Sequence, residues 1–367
     1  MKVFIDDGMR ISLGTGIGKY TQNLYESLRK VENIDVTLSD FKASASNRKL
    51  KRLQYLAYIN SKPFYEQMGQ YDVVHFCGQF FPMKKNPNTK YIATVHDLVA
   101  FVHPETLKPL TRAISREKIK RIVRDADAVL TVSESVKKEL IETFPKYCSK
   151  FHAVYPGNYN DVSFVESGTF TGETLSPLNQ SPFFLFVGTL EKRKNIGLII
   201  DAFIKLRQQD SASSNYKLVL AGRPGFGFSE FQEAVKSSGF ENDVIFTGYI
   251  SNFERNLLYS RAAAYIFPTV YEGFGSTQLE CMACHTPLIL SDIPTNREIS
   301  KDYGIYFERN NPQTLVSAMD SIVHGKYDNW THKALAEQYL KCFEWCNLIA
   351  EYISVYKQTI KSIYLGE

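Results

Sequence analysis

The stretch AAAYIFPTVYEGFGSTQLECMAC, residues 262–284, contains the unit from which the whole chain is built. Its first residues form an apolar run that ends at Pro268, which is typical of a buried strand. A loop with Gly273 and Gly275 follows, and we expect a helix to start near Ser276. A buried strand that leads directly into a helix is the repeating unit of parallel sheets, so this stretch predicts an α/β fold.

The same alternation of short apolar strands and amphipathic helices extends in both directions along the chain. We predict two series of strands, at residues 2–6, 72–76, 91–95, 128–132 and 151–156, and then at 183–188, 216–222, 243–248, 262–268 and 287–292. Such apolar runs indicate parallel sheets covered by helices on both faces. Residues 158–182 are polar, and their apolar residues follow neither the helix period nor the strand period. We therefore predict a linker there, between two doubly wound domains. Ligands in such sheets bind beyond the carboxyl ends of the strands, which points to a cleft where two such edges face each other.

The length and composition of the chain also favour two globular domains. The 367 residues exceed one ordinary domain, and 44% hydrophobic with 22% charged residues exclude a disordered or fibrous chain. No apolar run approaches the ~18 residues that a membrane-spanning helix needs. The start, MKVFIDDG, has Asp6 and Asp7 where a signal peptide would be apolar, so we expect a cytoplasmic protein.

The net charge of +4 is distributed unevenly. Residues 1–165 carry 25 Lys and Arg against 17 Asp and Glu, whereas residues 166–367 carry 18 against 22. The basic excess lies mainly in residues 47–52 and in an expected amphipathic helix at 112–124. Such a surface can attract an anionic membrane or a phosphorylated substrate, and a merely solvated helix face is an equal alternative.

Two groups of residues have features of metal ligands, but another interpretation is favoured for each. Cys281, Cys284 and His285 have metal-ligand spacing, yet they continue an expected helix, so we interpret the cysteines as small buried thiols. The acids of DAD, residues 125–127, lie between a helix and a strand, where charged side chains usually form a solvated boundary. We therefore predict no metal site.

The segment GTGIGKYT, residues 14–21, matches known phosphate-binding loops only in part. Leu13 and Tyr20 stand where the phosphate loop needs Gly and Ser or Thr, and the third glycine comes one residue early for the dinucleotide motif. Three glycines ahead of a helix still bring bare backbone amides close to an anion at a positively polarised helix N-terminus. A purely conformational turn is the alternative.

Three segments place charged or titratable residues at predicted strand ends. Glu272 and Glu280 lie eight residues apart across a loop and a helix start, where amides would face an anion and a carboxylate could bind a sugar diol. The run of three cations at 192–194 follows another strand and could neutralise a diphosphate. His96 ends a strand of the first series. Considered singly, each has a structural alternative: solvated acids, an ordinary basic loop and a satisfied core histidine.

Taken together, these segments resemble the retaining glycosyltransferases of family 4 over nearly the whole chain. The most specific similarities are an E-x7-E pattern from Glu272 to Glu280, a GTLExRKN segment from Gly188 to Asn195, an HDL motif at His96, and a glycine-rich loop before the first helix. The segment SDIPTNREI at 291–299 and the closing residues Phe343, Trp345 and Tyr356 also resemble this family.

The resemblance implies the GT-B fold, in which two doubly wound Rossmann-like domains face each other across a cleft. It places an acceptor-side domain at residues 1–165, a donor-nucleotide domain at 180–340, and a last helix at 341–367 that crosses back to the first domain.

The resemblance also implies roles for individual residues in binding the donor. Glu280 would bind the ribose hydroxyls, and Tyr249 and Ile250 would bind the base. The diphosphate would be bound by Lys194 with Arg193, and phosphate would also be contacted by Gly16 and Thr277. The transferred sugar would be bound by Glu272 with the amides of Phe274 and Gly275. His96 would lie beside the reactive centre, so His96, Glu272 and Lys194 are the expected catalytic residues. Thr189 departs from the arginine of many members, and Ser276 and Thr277 replace the more usual apolar residue and proline.

The implied activity is transfer of a hexosyl or deoxyhexosyl unit from a nucleotide-diphosphate sugar to a saccharide acceptor, with retained anomeric configuration and no metal or other cofactor. The expected acceptor is a lipid-linked oligosaccharide in polysaccharide biosynthesis, and no nucleic acid partner is expected. The basic first domain would contact the anionic inner face of the plasma membrane. Two alternatives stay open: a sugar-nucleotide epimerase or phosphorylase of the same architecture, and a non-catalytic sugar-binding partner subunit.

Overall fold

The computed structural model describes residues 1–6, 8, 16–45, 47–158, 161–309, 311–326 and 329–361. The chain forms two compact units, residues 1–157 together with 342–367, and residues 158–341. Each unit contains a six-stranded sheet whose paired strands all run parallel. The predicted α/β class with two doubly wound domains is therefore confirmed.

The first unit is built on strands that follow the order β2-β1-β3-β4-β5-β6 across the sheet. These are β1 (Lys2–Asp6), β2 (Asp35–Leu38), β3 (Val73–Phe76), β4 (Lys90–Val95), β5 (Ala128–Thr131) and β6 (Phe151–Ala153). Its first helices are α1 (Gly16–Leu28), α2 (Arg48–Ile59), α3 (Lys62–Met68), α4 (Val99–Val102), α5 (Pro109–Asp125) and α6 (Glu134–Thr143). Every residue of β3 and β5 is buried, as expected for central parallel strands with helices on both faces.

The second unit has the strand order β12-β11-β10-β7-β8-β9. These are β7 (Phe183–Val187), β8 (Lys217–Ala221), β9 (Val244–Gly248), β10 (Ala264–Phe267), β11 (Leu288–Ser291) and β12 (Gly304–Phe307). Its helices are α7 (Gly172–Leu175), α8 (Ile196–Gln209), α9 (Phe228–Ser238), α10 (Asn252–Arg261), α11 (Ser276–Ala283), α12 (Pro294–Ser300), α13 (Pro312–Val323) and α14 (Asn329–Lys341). Since β7 and β10 are parallel neighbours, the loops that follow them leave the same edge of the sheet.

The last helix, α15 (Trp345–Lys361), belongs to the first unit, where it packs against α1. Trp345, Tyr352 and Tyr356 join the core cluster that also contains Val3 and Ile5 of β1. The backbone of Gly157 lies so close to the indole of Trp345 that a Cβ there would be about 2.5 Å from the ring. The helix is therefore part of the core of the first unit.

The boundary between the units differs from the sequence-based expectation. Residues 158–165, which we assigned to the first domain, belong to the second unit, and the expected linker packs on the second unit as well. Phe170, Leu175 and Leu178 are buried there, and the Phe170 ring lies 5.9 Å from that of Phe183 at the start of β7. A few buried apolar side chains, whose spacing in the sequence matches neither a helix nor a strand, thus hold this polar segment against the second unit.

In the part of the chain that the structure describes, no helix combines the length and the apolar character needed to cross a membrane.

Candidate functional site

The loop between β10 and α11 carries the first of the two predicted carboxylates. Glu272 accepts hydrogen bonds at Oε2 from Lys194 Nζ (2.5 Å) and from Thr269 Oγ1 (3.3 Å). Arg193 Nη1 lies 3.7 Å from the same oxygen. Thr295 Oγ1 donates to the backbone carbonyl of Glu272 at 2.8 Å, so both ends of this residue are held. The loops after two neighbouring strands are thereby joined by one carboxylate.

Two opposing effects decide the charge state of Glu272. Its burial by itself raises the pKa, but the charges of Lys194 and Arg193 and the hydrogen bonds from Lys194 and Thr269 outweigh burial, so the pKa lies below its usual range. Glu272 is therefore a carboxylate at neutral pH, in an ion pair with Lys194. Both side chains are mostly removed from solvent, with 20% and 14% of their surfaces exposed, so water screens the pair less than a surface pair.

The cationic loop after β7 is positioned by close backbone contacts with the loop after β8. A Cβ on Gly222 would overlap the carbonyl of Gly188, so the two loops can approach only through glycine. Lys194 Nζ also lies 5.3 Å from the centre of the Phe267 ring, at the end of β10. Arg193 donates to Glu191 at 3.0 Å, whereas Lys192 pairs with Glu230 of α9 at 2.7 Å. The three cations of the KRK run therefore have different surroundings, and Lys194 is the one bound most closely to Glu272.

Helix α11 begins at Ser276 after Gly275, whose φ of 80° lies in the left-handed region. A Cβ on Gly275 would also overlap the side-chain amide of Gln278. No side chain caps the start of this helix, so the amides at its N-terminus can face an anion. Phe274, just before the turn, is buried.

Glu280 lies inside α11 and is buried, with 8% of its surface exposed. Tyr259 of α10 donates its hydroxyl to Glu280 Oε2 at 2.8 Å. Burial and the charge of Glu280 raise the pKa of Tyr259 well above its usual value, so the phenol keeps its proton and acts as the donor. Sequence reasoning could not identify this partner, because Tyr259 precedes Glu280 by 21 residues on another helix.

The remaining predicted donor-site residues lie at strand ends of the second unit or at the start of α1. Thr189 is exposed directly after β7, and Tyr249 and Ile250 follow β9, with Tyr249 81% exposed. Gly16 is the first residue of α1, but Gly14 and Thr15, which begin the predicted glycine loop, lie outside the described residues.

His96 follows β4 in the first unit, as its place in the sequence predicted. Its Nε2 bonds to the carbonyl of Cys77 at 2.7 Å, and the Tyr20 ring packs edge-on against it with centroids 5.1 Å apart. Burial lowers the pKa of His96 to about 4, although the Cys77 bond partly opposes this. A carbonyl can only accept, so Nε2 carries the proton and Nδ1 of the neutral ring keeps its lone pair.

Sequence reasoning missed a buried polar network beside His96. His75 of β3 is fully buried and bonds through Nδ1 to the hydroxyl of Tyr356 and through Nε2 to Thr94 Oγ1, both at 2.7 Å. Thr94 Oγ1 in turn lies 3.1 Å from the hydroxyl of Tyr20, whose ring packs on His96. A histidine within the apolar run DVVHF was the available signal, since a buried polar side chain requires partners.

The cysteines and aspartates considered as metal ligands have other surroundings. Cys281 and Cys284 are buried free thiols, and burial raises the pKa of Cys284 to about 11, which confirms the interpretation as small core residues. Asp125 accepts two hydrogen bonds from Arg124, and Asp127 accepts from Lys85. Elsewhere in the described chain, Asp210, Asp320 and His324 bring potential ligand atoms within 4.8 Å of one another, away from the predicted residues.

Two family models match the chain, one in each unit. Residues 14–158 match Glycosyltransferase Family 4, and residues 174–338 match Glycosyl transferases group 1. Among curated relatives, the O-antigen chain mannosyltransferase RfbU of Salmonella typhimurium is 26% identical over 333 residues, which cover 84% of this chain and 87% of the relative. An N-acetylgalactosamine-N,N'-diacetylbacillosaminyl-diphospho-undecaprenol 4-alpha-N-acetylgalactosaminyltransferase of Campylobacter jejuni is 24% identical, over 60% of this chain and 57% of that protein.

Solved structures support the same fold. The sucrose-phosphate synthase of Thermosynechococcus elongatus superposes with a TM-score of 0.72 at 18% identity, covering 99% of this chain and all of that chain. The two parallel sheets, the two family matches and the relative that aligns with most of this chain all indicate the same kind of protein. The chain therefore belongs to the family 4 and group 1 glycosyltransferases and is a glycosyltransferase of the GT-B type.

Proposed function

We propose that the chain transfers a hexosyl or deoxyhexosyl unit from a nucleotide-diphosphate sugar to a saccharide acceptor, with retention of configuration at the anomeric carbon. One observation carries this proposal: Lys194, Arg193 and Glu272 meet beside the uncapped start of α11, and the buried Glu280 follows on the same helix. These groups suit a ligand with a diphosphate, a sugar and a diol.

The electrostatics of this site suit the departure of a diphosphate. As the bond from the anomeric carbon to phosphate breaks, negative charge develops on phosphate oxygens and positive charge on the sugar ring. The amides at the start of α11 and the ammonium of Lys194 favour the negative charge. Glu272 already holds Lys194 by a 2.5 Å hydrogen bond, so the cation is oriented before the donor binds and little reorganisation is needed. Glu272 would also accept a hydrogen bond from a hydroxyl of the transferred sugar.

The state of His96 fits a retaining reaction in which the leaving phosphate takes the acceptor's proton. A pKa of about 4 makes His96 a poor base for this proton but leaves a neutral imidazole with a fixed tautomer at pH 7. We propose that this neutral ring is a hydrogen-bonding partner beside the reacting sugar. We further propose that the chain's own cations and helix amides neutralise the diphosphate, so that no divalent metal is required.

The relatives favour a lipid-linked acceptor. RfbU is named an O-antigen chain mannosyltransferase, and the Campylobacter relative is named for a diphospho-undecaprenol acceptor. We propose a lipid-linked oligosaccharide of a cell-surface polysaccharide as the acceptor of this chain, and a cytoplasmic location. The first unit would contact the anionic inner membrane surface through its basic excess, a contact that salt weakens.

A thermal-shift screen against sugar nucleotides tests the donor site, because a ligand that binds only the folded state raises its apparent stability. GDP-mannose is the first donor to include, given the mannosyltransferase relative. We expect one donor to raise the Tm of the wild-type protein and not that of Glu280→Ala.

Proton NMR of the product tests the mechanism. We expect the anomeric configuration of the donor to persist in the product, and EDTA to leave the rate unchanged. An inverted product would refute the retaining mechanism. Turnover of the donor without acceptor, to an epimer or a free sugar, would favour a different reaction of the same fold.

A further inference from the structure

Helix α2 of the first unit has apolar side chains on both of its sides. Tyr55 and Ile59 are fully buried against the unit, whereas Leu50 and Leu53 are 53% and 61% exposed, and Leu56 is 37% exposed. A surface helix ordinarily presents polar residues on its outer side. Single exposed leucines are common, but three on one short helix form an apolar stripe that leaves a substantial surface in water.

Helix α5 carries two further exposed apolar residues. Leu110 is 73% exposed and Ile114 is 48% exposed, one turn apart on α5. The ammonium of Lys118, a further turn along, lies 4.1 Å from the centre of the Phe80 ring. Burial and the nearby charge of Arg52 on α2 lower the pKa of Lys118, so α2 and α5 approach each other at these two residues. We call the following residues the leucine face: Leu50, Leu53, Leu56, Leu110 and Ile114.

The leucine face lies within the most basic part of the chain. Residues 47–62 contain five Lys and Arg and no acid, and residues 108–124 contain seven Lys and Arg and one acid, Glu117. A shallow groove on α5 contains both apolar and charged side chains, because it is lined by Ala113, Ile114, Glu117, Lys118 and Arg121. Apolar side chains surrounded by cations match the boundary between the acyl chains and the anionic headgroups of a bilayer.

We propose that the leucine face inserts into the headgroup region of an anionic lipid bilayer, with the surrounding lysines and arginines on the lipid phosphates. The inference rests on the proposed membrane contact and adds apolar insertion to it. Apolar insertion resists salt, whereas attraction by a basic patch alone does not. The same charges argue against a second copy of the chain as the occupant, because two cationic rims would face each other. Phosphate recognition alone would leave the exposed leucines unexplained.

The test is co-sedimentation of the full chain with vesicles of phosphatidylglycerol and phosphatidylethanolamine, and with vesicles of phosphatidylcholine alone. We expect binding to the anionic vesicles at about 0.05 M NaCl and partial retention at about 0.5 M NaCl. Leu50→Ser/Leu53→Ser should lower the partition coefficient about tenfold or more, and should remove the fraction that resists salt. Lys49→Gln/Arg52→Gln should weaken binding mainly at low salt.

The matched control is Phe253→Ser, which removes an exposed apolar side chain of α10 in the second unit and should bind vesicles as wild type does. Equal vesicle binding by the leucine variant and wild type would overturn the proposal. So would a wild-type dimer, measured by light scattering, that becomes a monomer in the leucine variant, because the face would then join two copies.

Activity on a water-soluble saccharide acceptor separates this inference from the proposed function. We expect the leucine variant to retain wild-type turnover in that assay, since the substitutions lie outside the donor site. Absence of transfer from every sugar nucleotide by wild type would contradict the proposed function while leaving the vesicle result valid.

Discussion

Acidification should destabilise the first unit through His75. This side chain is fully buried between Tyr356 and Thr94, and burial together with the charge of His96 lowers its pKa from 6.5 to about 3. The neutral form is thus favoured in the folded state, while the unfolded chain takes up a proton near pH 6.5. The stabilising contribution is complete above pH 6.5 and is lost as pH falls from there toward 3.

The magnitude follows from proton linkage. Between about pH 7 and about pH 4.5 this site goes from about one-quarter to almost fully protonated in the unfolded state and stays almost unprotonated in the folded state, which costs about 2.5 kcal/mol of unfolding free energy. Because a domain is stable by only about 5 to 15 kcal/mol, this loss is readily measured. Other groups also titrate in this range, so the quantity of interest is the difference between wild type and His75→Gln.

The assay is urea unfolding followed by the fluorescence of Trp345, which lies in the core of the first unit, in a Trp330→Phe background. We expect the free energy of unfolding to fall by about 2.5 kcal/mol more in wild type than in His75→Gln between the two pH values. The comparison is made within each protein, so any loss that the substitution causes at pH 7 cancels. Equal pH dependence in both proteins would refute the assignment of a buried neutral histidine.

Three further predictions concern the second unit. Lys194→Ala should lower kcat/KM at least about 100-fold in a transfer assay, since it removes the cation proposed to meet the leaving diphosphate. Lys194→Arg should restore part of the activity. Tyr259→Phe removes the hydroxyl that orients Glu280 and should weaken donor binding about five- to tenfold by calorimetry, so unchanged affinity would exclude a role for this bond. Gly275→Ala should destabilise more than Gly239→Ala in thermal unfolding: both have φ near 80°, but only the Gly275 site lacks room for a Cβ.

The sequence predicted ten of the twelve described strands, and these include β6 and β9 at sheet edges as well as the fully buried central strands. The runs at 91–95, 128–132 and 183–188 correspond to β4, β5 and β7 within one residue at each end. The sequence analysis missed β2 and β12, each at one edge of its sheet and partly exposed. An edge strand can be less apolar, and DVTL and GIYF are short runs interrupted by Asp35 and Thr37 or opened by Gly304, so they lack the continuous apolar signal.

The residues of the candidate site could be predicted from the sequence, whereas the contacts between them could not. Strand-end positions located Lys194 and Glu272 in separate loops, but their pairing depends on β10 lying beside β7, and the strand order cannot be obtained from apolar periodicity. His96 was located by the same rule, whereas its neutral state depends on burial that only packing determines. Thr269, two residues after the end of β10, had the same strand-end signal and was overlooked.

The docking of α15 shows how polar contacts can select among apolar alternatives. Trp345, Tyr352 and Tyr356 give this helix a buried stripe, and an apolar stripe alone could pack on either sheet. The hydroxyl of Tyr356 meets His75, and that of Tyr352 donates to the carbonyl of Tyr155 at 3.2 Å, and both partners belong to the first unit. A fully buried imidazole without its partner would cost about 1 to 3 kcal/mol, and packing the helix elsewhere would incur that cost. Apolar burial therefore supplies most of the driving force for docking, while the buried histidine makes the first unit the specific place for it.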